Sequence, residues 1–139
     1  MNTSDLLNAL RQTRDFDGFC RRQSETFLDE TLSDYLPELM ESHGVSKTEL
    51  IERAGLEKGY AYQIFRGIRN PSRDRLIQIA LGLGCTLDET QKLLRLGLRN
   101  ELYTRVRRDA AILFCLTRQY TVAECQAFLR ERQLEPLRD

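Results

Sequence analysis

Lys58, Arg66, Arg69, Arg73 and Arg75 crowd into residues 58–75, opposed in that stretch only by Asp74. Guanidinium and ammonium groups at such density pair well with phosphate oxygens, arginine in a fork and lysine as a point charge. The formal net charge is zero, with 21 basic and 21 acidic residues, so the chain is not a nonspecific polycation. The charge is instead divided. Residues 1–43 are strongly acidic, and residues 44–75 hold most of the basic excess. A local basic patch on a neutral chain points towards nucleic acid.

Other chemistries find little support. Cys20, Cys85, Cys115 and Cys125 are too far apart in sequence for a zinc knuckle or a redox pair, and His43 is the lone histidine. No metal site and no cofactor are expected, and the cysteines read as small hydrophobes in a reducing compartment. His43 stands just before Gly44 at a helix end, where an imidazole can meet free carbonyls. There is no phosphate-cradling glycine loop and no nucleophile elbow, so an enzyme is not expected. No apolar run is long enough to span a membrane, and the first residues lack a signal-peptide pattern. A cytoplasmic protein is the expectation.

The elements that must position the basic cluster are helical. Alternating strand patterns are absent, whereas Ser46-x-x-Glu49, Thr86-x-x-Glu89 and Thr121-x-x-Glu124 are capping boxes, each leading into apolar residues at helical spacing. Ser4 and Ser72 read as simpler N-caps. An all-α chain follows, in three parts. Residues 1–32 form an N-terminal extension, with Leu6, Leu7 and Leu10 on one side of a short helix and Phe16, Phe19, Phe27 and Leu28 as apolar anchors. Residues 33–97 hold five short helices punctuated by Gly44, Gly55, Gly67 and Gly84. Residues 98–139 form a helical hairpin. Its long first helix is expected from Asn100 to Arg118, with Leu102, Val106, Ala110, Leu113 and Phe114 inward, and the string 112–116 apolar nearly all round. No repeat or flexible linker is legible between the parts.

Residues 33–97 closely resemble the lambda-repressor/Cro (XRE) family of helix-turn-helix proteins. The likeness rests on a Ser-initiated scaffold helix, Ala54-Gly55-Leu56 at a tight turn and a short helix ending Arg66-Gly67. Arg69-Asn70-Pro71-Ser72 and Leu76-x-x-Ile79-Ala80-x-x-Leu83-Gly84 complete it. The resemblance implies a five-helix DNA-binding domain, a regulator of transcription, and double-stranded DNA as partner. It places Lys58, Gly59, Tyr60, Tyr62 and Gln63 on a helix that enters the major groove. Lysine can donate to guanine O6 or N7, glutamine can pair with adenine, and a tyrosine ring can lie on a thymine methyl. It also makes Lys47, Arg66, Arg69, Asn70 and Arg73 the candidates for phosphate contact, beside the amides that open the scaffold helix. Leu56, Ala61 and Ile64 should face inward. Glu57 stands where the family prefers Ser or Thr, Gly59 removes a side chain from a usual reading position, and Phe65 replaces a commonly acidic residue.

Two associations are expected beyond DNA. Members of the family often bind as two-fold dimers, and residues 98–139 are the natural contact for a homodimer. A protein partner could engage either extension. The alternative to a DNA reader is a non-enzymatic adaptor that keeps the scaffold and binds another protein.

Overall fold

The structure is a computed structural model and describes residues 2–22 and 30–138, so the expected anchors Phe27 and Leu28 lie outside the described residues. These residues form helices α1 (Thr3–Gln12), α2 (Phe16–Arg22), α3 (Leu32–His43), α4 (Lys47–Ala54), α5 (Lys58–Phe65), α6 (Arg73–Leu83), α7 (Leu87–Leu96), α8 (Arg107–Thr117) and α9 (Val122–Glu131). The fold is all-α, with no strand among the described residues.

Local chemistry sets most helix ends. Ser46, Thr86 and Thr121 each accept from the amide three residues on, while the glutamate there returns a bond to the cap amide. Thr31 and Asp34 make a further box ahead of α3. At α1 the cap is Asn2, boxed with Asp5, and the expected cap Ser4 lies inside the first turn. Ser72 caps α6 as expected, accepting from Arg75 N.

Helices α3 to α9 each bury one stripe in a single core that runs from Leu32 to Leu137. Leu36 and Leu39 of α3, Leu50 and Ala54 of α4, Ala61 and Ile64 of α5, and most of α6 meet there. The approach of α4 to α6 depends on Gly82, where an added Cβ would lie 3.1 Å from Ala54 N and 3.3 Å from Arg53 Cβ. Gly55, at φ 70°, turns the chain from α4 into α5 through a left-handed conformation that favours glycine.

The long helix expected from Asn100 starts only at Arg107. Residues 98–106 instead form a strap held by side chains. Gln91 donates to Leu102 O and accepts from Leu102 N, both at 2.8 Å. Leu102 is therefore buried without being helical, and Val106, expected inward, is exposed. The inner face of α8 is Ala111, Ile112, Cys115 and Leu116, while Phe114 remains 38% exposed.

The strap also exposes a repeat that the sequence reading passed over. Residues 73–103 align without a gap on 108–138, matching Arg73-Asp74 with Arg108-Asp109, Thr86, Glu89 and Gln91 with Thr121, Glu124 and Gln126, and Leu94 and Leu102 with Leu129 and Leu137. The hydrogen bonds repeat as well. Gln126 clasps Leu137 N and O at 2.7 and 2.8 Å, just as Gln91 clasps Leu102. Arg73 donates to Asn100 O and Glu101 O, and Arg108 donates to the matching carbonyls of Glu135 and Pro136. The charge pairs are reciprocal: Arg73 grips Asp109 at 3.0 and 2.8 Å, and Arg108 grips Asp74 at 3.2 and 3.0 Å. Tyr103 N and Arg138 N complete them, each donating at 2.9 Å to the opposite copy's aspartate. Reciprocal pairing of this kind defines a two-fold relation, since a translation would give each arginine a different partner. The C-terminal hairpin α8–α9 is thus a second copy of α6–α7, packed on it about a pseudo-two-fold axis.

Candidate nucleic-acid interface

Helix α5 is seated by Ala61 and Ile64, 0% and 1% exposed, with Leu56 tucked beneath its start. Its other side faces solvent and carries Lys58, Gly59 and Gln63 exposed, with Tyr60 and Tyr62 half-buried at its edges. The inward and outward positions follow the sequence reading, because a two-turn helix with two buried residues has only one way to sit.

The loop after α5 is tied to that outer face. Arg69 Nε donates to Gln63 Oε1 at 2.8 Å, and its guanidinium lies 5.3 Å from the centre of the Tyr60 ring. Arg75, not among the expected site residues, approaches the same ring at 5.4 Å, so Tyr60 is flanked by two guanidinium groups. Lys47, at the start of α4, extends over Tyr62 and Phe65 at 5.9 and 5.5 Å. Phe65 thus supports the lysine, and its ring meets that of Tyr62 edge-on at 5.7 Å. Lys47, Lys58, Arg66, Arg69 and Asn70 are all exposed around this helix.

Arg73 does not join them. Its guanidinium is engaged by Asp109 and two strap carbonyls, so it is turned away from the phosphate-contact role expected of it. The paired aspartate lies beyond the helix-turn-helix segment, so no local pattern around Arg73 signalled the pairing.

Glu57 caps α5, accepting from Gly59 N at 2.9 Å and Tyr60 N at 2.8 Å. Those two bonds hold its carboxyl below the usual glutamate range. Glu57 thereby places a negative charge on the first turn, where backbone amides would otherwise be open to an anion. At α4 the Ser46–Glu49 box satisfies only the third amide, and the helix geometry leaves those of Lys47 and Thr48 without an intrahelical acceptor.

One His/Cys/Glu trio with ligand atoms within 4.8 Å of one another occurs among the described residues: His43, Cys85 and Glu89. His43 Nε2 meets Glu89 Oε1 at 2.9 Å, and the same oxygen accepts from Thr86 N. His43 therefore joins the end of α3 to the capping box of α7 rather than meeting the carbonyls of its own helix. Burial pushes the Cys85 thiol well above its ordinary pKa, which keeps it protonated. No helix of the described residues is long and apolar enough to cross a membrane.

Residues 38–90 match a family model described as helix-turn-helix. No curated protein and no solved structure matches the chain.

Proposed function

We propose that residues 38–90, which match a helix-turn-helix family model, form a lambda-repressor/Cro-like domain, and that this protein binds double-stranded DNA sequence-specifically and regulates transcription. The observation that carries the reading is a cluster of cations outside any ion pair around one exposed helix. Among the described residues, Arg53, Arg73, Arg95 and Arg108 are spent on carboxylates, whereas Lys47, Lys58, Arg66 and Arg69 are in no ion pair. These four surround the exposed face of α5. Unspent cations beside a helix that presents Lys58, Tyr62 and Gln63 match the needs of a major-groove reader.

In this reading Lys58 and Gln63 contact base edges, Tyr62 packs against them, and Gly59 lets the helix backbone come close. Tyr60 holds Arg69 towards the phosphates, while Lys47, Arg66, Arg69 and Asn70 line the path of the DNA backbone. Arg69 must release or share Gln63 when the glutamine engages a base. The protein acts as a homodimer on two half-sites, since one module of this size covers little DNA.

Selection from a random duplex pool, followed by affinity at two salt concentrations, tests the reading. Enrichment of one motif is expected, with a negative salt slope that shrinks by about one unit in Arg69→Ala. Gln63→Ala should relax preference at one base by roughly 1–3 kcal/mol. The Glu57 carboxylate at the start of α5 favours a second reading, a protein-binding adaptor. No enriched motif together with salt-insensitive binding would select it.

A further inference from the structure

The pseudo-two-fold repeat shows which surface of the second copy lacks a cover. In the first copy Ile79, Leu83, Cys85 and Leu93 are at most 4% exposed. Helices α3 and α4 pack over that copy: the ligand atom of His43 lies within 4.8 Å of that of Cys85, and Ala54 abuts Gly82. The matching residues of the second copy are Phe114, Arg118, Tyr120 and Phe128, and none of them is fully buried. They form an aromatic cluster instead. Phe114 stacks on Phe128 at 5.1 Å, and Tyr120 stands edge-on to both at 6.2 and 6.1 Å. Arg118 and Arg132 lie over the two phenylalanine rings at 4.7 and 3.6 Å.

The same chain carries a matching helix. The cover α3 opens with a capping box and the series Thr31-Leu32-Ser33-Asp34-Tyr35-Leu36-Pro37-Glu38-Leu39. Helix α1 opens with a capping box too, and its series is Asn2-Thr3-Ser4-Asp5-Leu6-Leu7-Asn8-Ala9-Leu10. Ser, Asp and two leucines recur in register. In α3 the two leucines are 0% and 3% exposed; in α1 the matching Leu7 and Leu10 are 45% and 41% exposed, and α1 buries no residue at all. Two unsatisfied surfaces therefore coexist: a helix patterned like the cover, and an uncovered copy of what that cover packs on.

We propose that a second copy of this chain supplies its α1 to the Phe114/Tyr120/Phe128 face, and that two copies exchange α1 helices to close a dimer. Leu7 and Leu10 of α1 and Phe114 of the aromatic face are all more than a third exposed, and reciprocal exchange buries both surfaces with no open end. Asp5 at the start of α1 complements Arg118 and Arg132 on the aromatic face. This contact deepens the homodimer of the proposed function, yet it forms without DNA, so the two readings fail separately.

Sedimentation of the full chain under reducing conditions, with Leu7→Asp and Leu10→Asp as variants, tests the proposal. Both positions are exposed, so folding is retained. Wild type should be dimeric at high micromolar concentration, and each substitution should weaken the dimer at least about tenfold. Isotope-filtered NMR on a mixture of labelled and unlabelled chains should show α1 methyl contacts to the aromatic rings between chains. Affinity for a single half-site duplex should be unchanged in both variants. A monomer throughout, a dimer indifferent to both substitutions, or ring contacts arising only within one chain would each overturn the proposal.

Discussion

Replacing Asp109 with alanine should weaken the fold more than a surface change could. The side chain is 7% exposed and accepts three bonds, two from Arg73 and one from Tyr103 N. Removing one member of such a buried pair costs about 3–5 kcal/mol, because the partner charge loses its compensation. Arg73 keeps two strap carbonyls and is 25% exposed, which favours the lower end, about 3 kcal/mol. Against a typical stability of about 5–15 kcal/mol, that is a large fraction. In urea the midpoint should fall by about 1–2 M. Asp74→Ala removes the pseudo-symmetric partner, 19% exposed, and should cost somewhat less. The two changes should be non-additive, as both pairs sit at one junction. Burial alone would raise the Asp109 carboxyl, but the Arg73 and Tyr103 bonds outweigh it and hold the group below its ordinary value. The sign follows from linkage. The stabilisation is complete above about pH 5 and is lost as acidification passes the ordinary aspartate pKa of about 3.9 towards the lower folded value. A loss below about 1 kcal/mol in Asp109→Ala, or wild-type and variant stabilities falling in parallel between neutral pH and pH 3, would refute the reasoning.

Three other outcomes follow from single features. Glu57→Ser keeps an N-cap but removes the charge from the first turn of α5, so DNA affinity measured by fluorescence anisotropy should rise and its salt slope steepen. Gly82→Val should unfold the protein or cost at least about 3 kcal/mol by calorimetry, since the Ala54 backbone beside it cannot retreat without parting α4 from α6. In a thiol titration under native conditions Cys20, half-buried, should react first, with Cys85, Cys115 and Cys125 reacting only on unfolding.

What was legible in the sequence concerned short range. Capping boxes at Ser46, Thr86 and Thr121 involve residues three apart, so their types alone announce them. The inward set Leu56, Ala61 and Ile64 is likewise a matter of helical period. The start of α8 was not legible in this way. Residues 100–106 are compatible with helix by composition, and the segment is not helical because Gln91 and Arg73 claim its backbone from another element. The repeat was present in the sequence as a faint alignment of scattered identities. Only its duplicated hydrogen bonds separate it from coincidence.

The residues by themselves determined the all-α class, the helix-turn-helix segment and the outward face of α5, because periodicity, capping and turn chemistry act within a few positions of the chain. Tertiary structure alone decided how the charges were used. Arginines 66, 69 and 73 are chemically identical, yet the last meets a buried aspartate that completes its bonding and the first two do not. The difference arises because an ion pair depends on where two distant segments are brought together, and that position is set by the packing of α6 against α9 and of α7 against α8 about the pseudo-two-fold axis.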